Sequence, residues 1–353
     1  MSATQARRRP SHRHVLIATI AVLVTVAVLL LVAFLVAEAV EESTPPVAAG
    51  ACGVSGAGAF TVPTGADDPR ERYAPLVFLH PQELRLPLST ECFIKNSRLT
   101  WARGPHDTVE LTKQGEVDPA RLGASDPYTS DLAGRPCDAG APGCFSATDH
   151  TRPFDGGRGP LSGRVGFALD VDNAFRSGLQ SAAVGPVYTG APVYVQAEPG
   201  FITYWFFYGF SAAGGRFDQR GVSLFGHEAD WERISVHLDE AGNPLEVAYY
   251  QHGGAPVVLS WAATPRLGTH PIVFSGLGSH ASYPAESGPE QRKNADSTRI
   301  GRLWPTWELL ADVKAEPWFG FGGAWGAAGL GKELTGPLGP SPYKTPAPLE
   351  WRR

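Results

Sequence analysis

The chain has 353 residues, 43% hydrophobic and only 18% charged, with 41 glycines, 31 prolines and a formal net charge of -5. So many turn formers and so few charges exclude a coiled coil or long-helix protein and favour a β-rich domain. With the four arginines of the first 14 residues set aside, 26 Lys and Arg face 35 Asp and Glu, which argues against a nucleic-acid footprint built on bulk charge.

Residues 1–14 form a basic tail carrying Arg7, Arg8, Arg9 and Arg13. Val15 to Ala37 follow, 23 residues whose only polar side chains are Thr19 and Thr25, a stretch about 34 Å long as a helix and enough to cross a bilayer. Glu38, Glu41 and Glu42 come next, so the positive-inside rule predicts a single-pass transmembrane helix with its N-terminus cytoplasmic and the remainder extracytoplasmic. A cleaved signal peptide is the alternative, offered by Ala37-Glu38-Ala39, but the apolar core is longer than such peptides use. Residues 38–72 are rich in Ala, Gly and Pro and read as a linker.

From Tyr73 to Arg353 the pattern predicts one large all-β domain, a β-sandwich with long loops. Strand-like runs are Leu76 to Leu79, Val165 to Val171, Ala191 to Gln196, Phe201 to Phe210, Arg233 to Leu238, Leu245 to Gln251, Val257 to Ala262 and Pro271 to Ser275. Phe201 to Phe210 is apolar on both faces and so predicts a central strand, whereas Arg233 to Leu238 alternates and predicts cover on one side. Leu303 to Val313 predicts a short helix beyond Pro305. From Gly320 onward Gly and Pro preclude much regular structure, yet Trp325, Tyr343 and Trp351 predict a tail packed along the domain.

Four cysteines, Cys52, Cys92, Cys137 and Cys144, fall on the predicted extracytoplasmic side, where disulfides persist. Three pairings are open. Cys137 with Cys144 is favoured, because closing an eight-residue loop contributes about 2.5 kcal/mol on the chain-entropy model, and it leaves Cys52 to join Cys92. Neither spacing suits zinc.

The segment Gly226 to Leu238, GHEADWERISVHL, carries the chemistry. At period two, Asp230, Glu232, Ile234, Val236 and Leu238 share one face, and Trp231, Arg233, Ser235 and His237 the other. Two carboxylates on an apolar face need a partner. With His227 they form H-x-x-D-x-E, a set of N and O donors suited to a divalent cation, with magnesium, calcium, manganese and zinc not distinguished. The alternative is a salt-bridged cluster with Arg233 or Arg220. Asp170 and Asp172 lie opposite Phe167, Leu169 and Val171 and read as solvated. His252, His270 and His280 stand near strand ends, and His252 and His280, with Trp231, are candidate ligand or second-shell residues.

Other motifs do not hold. His227-Glu228 begins like H-E-x-x-H, but position 231 is Trp and the context is a strand. Gly276 to Ala281 fits a loose G-x-G-x-x-A, but Pro284 stands where the phosphate-binding helix would run. Ser275 and Ser279 lack the glycines of a nucleophile elbow.

Tyr73-Ala74-Pro75-Leu76 with Glu83 and Pro87, APVYV at Ala191, YWFFYGF at Tyr204, GHEADWE, YYQHGG, THPIVF, GLGSHASYP, the closing W-G and GPLGP, and Trp351 together resemble the vacuolar protein sorting-associated protein 62 family over most of Tyr73 to Trp351. Residues 105–163 depart from the pattern and read as an insertion. GHEADWE also resembles the GHRHDWE heptapeptide of necrosis- and ethylene-inducing peptide-like proteins, secreted β-sandwiches that bind a divalent cation and glycosylated sphingolipid headgroups. That resemblance covers the central third and implies cation ligands at His227, Asp230 and Glu232, with Asp218 as the upstream carboxylate. Glu228 and Ala229 replace its Arg and His, which does not favour membrane damage. The resulting expectation is a membrane-anchored binding module for a cation and a polar ligand such as a glycan or lipid headgroup. A metal-dependent hydrolase using His252 or His280 for proton transfer, and a structural envelope protein with a purely structural cation, are the alternatives.

Overall fold

The aromatic and β-branched run Phe201–Ser211 has the side chains that pack best on a pleated surface, and all eleven of its residues are buried. It lies inside a six-stranded sheet, paired with Val193–Glu198 on one side and His227–Leu238 on the other. Pro244–Tyr249 and Val257–Ser260 extend the sheet in one direction, and Leu310–Asp312 closes the other. Hairpin turns are set by Gly200 and Gly242, at φ of 86° and 82°, a conformation that costs a residue with a Cβ. This computed structural model describes residues 47–48, 52, 55–104, 107–123, 128–131, 144–147, 166–171, 179–180, 186–212, 226–252, 255–287, 296–329 and 335–340. The chain divides into two units, Met1–Thr44 and Pro45–Arg353, and all described residues belong to the second.

One face of the six-stranded sheet packs on a seven-stranded sheet built from Ser55–Ala57, Leu76–Leu79, Val187–Thr189, Arg266–Leu267, His270–Ser275, Ser282–Tyr283 and Arg302–Pro305. Phe206 meets Trp304 at 5.6 Å between ring centroids, and the Tyr249 hydroxyl donates to the Ile272 carbonyl at 3.2 Å. Burying each such aromatic contributes about 2 to 3 kcal/mol. The opposite face is covered by Phe93, Trp318 and Trp325, which surround Trp231 and Phe207. Ala324–Trp325 joins a four-stranded sheet with Gly166–Val171, Ser97–Gly104 and Asp107–Thr112.

All eight expected strands are present, and the all-β class with few helices holds. Two expectations fail. His227–Leu238 is covered on both sides, Trp231 and Ser235 being 6% and 0% exposed, because the Trp-bearing tail supplies a second layer that local alternation does not encode. The helix over Leu303 to Val313 is replaced by the strands Arg302–Pro305 and Leu310–Asp312 with short 3-10 turns between and after them. Pairing with Leu76–Leu79 and burial of Trp304 outweigh a weak helical preference interrupted by Pro305.

Ser55–Ala57 and a helical turn at Pro69–Arg72, capped by the Asp68 carboxylate, belong to the fold although both precede Tyr73. Cys52 and Cys92 are bonded, as expected, with 5.2 Å between Cα atoms. Cys137 lies outside the described residues, as do the predicted span Val15 to Ala37 and the residues Asp172, Tyr343 and Trp351. Among the described residues no helix is long and apolar enough to cross a membrane.

Candidate functional site

Asp230 sits directly opposite Tyr208 in the strand pair, and Glu232 opposite Phe206, so both carboxylates face the seven-stranded sheet as the alternation predicts. Asp230 is 5% exposed and Glu232 is half-buried. Just before them the ladder becomes irregular. Phe210 lies opposite both Ala229 and Glu228, and Ala229 adopts the left-handed conformation at φ 54°. That rotation sends Glu228 away from Asp230, so that its Oε2 accepts from the backbone N–H of Val171 and of Ala327, at 3.1 and 2.9 Å. His227, half-buried, donates from Nδ1 to the Ala229 carbonyl at 2.8 Å in the tautomer that leaves Nε2 as an acceptor.

Asp230 has a partner. His280 Nδ1 lies 3.0 Å from its Oδ2, and on the other side of the ring Nε2 is 3.6 Å from Glu83 Oε2. Glu83 is itself fixed by the Gly278 and Arg85 N–H groups, at 2.7 and 2.8 Å. The imidazole also lies flat on Tyr208, 3.8 Å away and 5° from parallel. Burial alone would lower the pKa of His280 and raise that of Glu83. The mutual attraction and the Asp230 bond win, holding His280 at about 9 and Glu83 at about 2. At neutral pH a charged imidazolium is therefore clamped between two carboxylates.

A second dyad lies alongside. His252 Nε2 is 3.1 Å from Asp296 Oδ2, and the Tyr283 hydroxyl donates to that same oxygen at 3.0 Å. The bond to Asp296 raises the His252 pKa against the opposing effect of burial, with a further contribution from the Asp230 charge. Asp296, which burial would push up, is held below its ordinary value chiefly by the bond from His252. Ala229, His252 and His280 are the non-glycine residues at positive φ among the described residues, and all three stand around Asp230.

Of the residues nominated from sequence, Asp230, His280 and His252 are brought together, His227 and Glu232 flank Asp230 along the strand, and Asp218 lies outside the described residues. Trp231 is not beside the cluster, since it projects from the opposite face into the aromatic layer. His270 is structural, fully buried, donating to the Ala74 carbonyl at 2.7 Å and resting on Trp307. Asp170 is not simply solvated, because Arg98 bonds it at 2.8 and 2.6 Å. Sequence reasoning about the site missed Asp296, in a polar loop with no pattern to betray it. Glu83 appeared only within the broader family resemblance, without a role.

In chemical kind, two carboxylates, an imidazole and a histidine that orients one of the carboxylates are donors that a divalent ion takes, without choosing among Mg, Ca, Mn and Zn. Among the described residues, however, no three of His, Cys, Asp and Glu are grouped closely enough to hold one. No protein-family model and no curated protein matches the sequence. Among solved structures, Necrosis and Ethylene inducing Protein 2 from the causal agent of cocoa's witches' broom disease superposes with a TM-score of 0.30 at 12% identity, over 74% of this chain and 80% of that one. A superposition that loose bears no weight in the reading of the site.

Proposed function

We propose that this chain is a membrane-anchored, extracytoplasmic β-sandwich that binds a divalent cation at His227, Asp230 and Glu232 and, with it, a polar ligand such as a glycan or lipid headgroup. The observation that carries the reading is the concentration of three strained, non-glycine backbone positions around one buried carboxylate. Such conformations cost about 1 to 3 kcal/mol each, persist where the surrounding structure imposes them, and cluster at active sites and ligand clamps. The His280 bond to Asp230 supports it, since an oriented carboxylate is what a cation ligand needs. A bound cation would supply charge to hold acidic or hydroxyl-rich ligand groups, while His227 and Asp230 would keep it at the strand entrance. The apolar run Val15 to Ala37 supports the anchor.

Elemental analysis of the purified full-length chain, before and after chelation, tests this. Up to one equivalent of Mg, Ca, Mn or Zn is expected in wild type and none in Asp230→Asn. A metal-free wild type whose stability does not respond to chelator or to added cation overturns it.

A further inference from the structure

A cavity of about 310 Å³ opens beside Tyr283, lined by Gln251, Val257, Pro284, Asp296 and Thr298 among others. None of the proposed cation ligands is among its lining residues. Its size falls at the lower end of pockets that hold small organic molecules. Its walls combine two features. The lining includes the apolar residues Val257, Pro284 and Ala285 together with Tyr283. It also includes the acidic residues Asp296 and Glu286, while Arg299 donates to the carbonyls of two further lining residues, Ser287 and Thr298, at 2.7 and 3.3 Å.

Asp296 is the decisive group. Its carboxylate is held in the ionised form, and both His252 and Tyr283 bond the same oxygen, Oδ2, with Ser279 as a further donor to the carboxylate, which fixes its orientation and its charge beside the cavity. The Tyr283 side chain, tied to Asp296 by its hydroxyl, is held beside that carboxylate. Glu286 is positioned by accepting from the Ile300 N–H at 2.7 Å. Burial first and then the Asp296 charge raise the Tyr283 phenol, with a smaller contribution from Glu232. A fixed carboxylate beside an aromatic ring and aliphatic walls is the chemistry that recognises an organic ammonium group: the charge meets Asp296 and the aromatic ring, and the alkyl part meets Val257 and Pro284.

We infer that this cavity binds an organic ammonium group of about choline size. The inference goes beyond the cation reading and does not need it, so its test is run with chelator present, where loss of a metal site leaves the result unchanged.

Ligand-observed NMR titration of the full-length chain with choline, and with the neutral isostere in which carbon replaces the quaternary nitrogen, reads it directly. Choline is expected to bind at least about tenfold more tightly than the isostere, the difference that Coulomb attraction to a desolvated carboxylate and a cation–π contact provide. Asp296→Asn should remove that preference, and Glu286→Gln should weaken choline by about two- to threefold. Because Asp296 also holds His252 and Tyr283, its variant can lose the fold; the wild-type comparison is decisive by itself. Glycerophosphocholine separates sources: binding about tenfold tighter than choline identifies a lipid headgroup, and equal binding a free small cation. Equal affinity for choline and its isostere, or no saturable binding of choline, overturns the inference.

Discussion

His280 and Asp230 are joined at 3.0 Å across 50 residues of chain, and this contact ties the loop after His270–Ser275 to the strand that carries the candidate cation ligands. With Glu83 on its far side, His280 is a buried cation shared by two carboxylates. Replacing it with Asn leaves two buried carboxylates without their counter-charge. The expected loss is about 3 to 5 kcal/mol, read as a lowered urea midpoint at pH 7. An unchanged midpoint would show that the cluster is compensated from elsewhere.

The same clamp makes stability depend on pH in a stated direction. His280 is raised to about 9 from 6.5, so its contribution is complete below about pH 6.5 and disappears as pH rises through about 9. Glu83 is lowered to about 2 from 4.5, so its contribution is present above about pH 4.5 and is lost as pH falls towards 2. Thermal midpoints should decline between pH 7 and 9.5 in wild type, and much less steeply in His280→Asn.

His270 behaves in the opposite sense. Burial holds it neutral and below 6.5, so the unfolded chain takes up its proton first and stability falls as pH drops below about 6.5. His270→Gln should flatten that part of the profile, measured by denaturation between pH 7 and 5, while costing stability at pH 7 through lost contact with Trp307.

Trp231 packs against Phe207, Trp205, Tyr194, Trp318 and Trp325, and its indole N–H meets no acceptor among the described residues. Trp231→Ala should cost about 3 to 5 kcal/mol. Trp231→Phe should cost clearly less, since it keeps much of the ring and removes an unpaired donor. Neither should alter the stoichiometry of bound metal in protein that remains folded.

The Cys52–Cys92 bridge spans 40 residues. Reduction, or Cys52→Ser with Cys92→Ser, should lower stability by about 3 to 4 kcal/mol on the chain-entropy model, checked by denaturation with and without reductant.

Addition of the proposed cation at about 100 times its Kd should stabilise the native chain by about 2.7 kcal/mol, and Asp230→Asn should abolish the increment. Thermal scans with and without chelator give the measurement.

Periodicity made the strands legible. Phe201 to Phe210 has no polar face, and only a strand covered on both sides accommodates that, while the alternation beginning at Asp230 placed both carboxylates on the face where Tyr208 and Phe206 lie. The same logic failed for Trp231 and Ser235, because alternation reports which side chains are apolar and does not report what later segments bring to cover the rest. Glu228 was also out of reach: its turn away from Asp230 depends on the left-handed backbone at Ala229, a strain that surrounding structure imposes on a residue with no preference for it.

Local chemistry alone determined the β class, the eight predicted strands and the placement of His227, Asp230 and Glu232 on one short segment, while it left three cysteine pairings open. Tertiary structure decided what those groups meet. His280 reaches Asp230, Glu83 reaches His280, and Asp296 reaches His252 only because the sheets carry separate loops together. The Asp230–His280 and Glu83–Gly278 contacts, between residues 50 and 195 positions apart, are set by the packing of whole sheets, and no run of neighbouring residues encodes them.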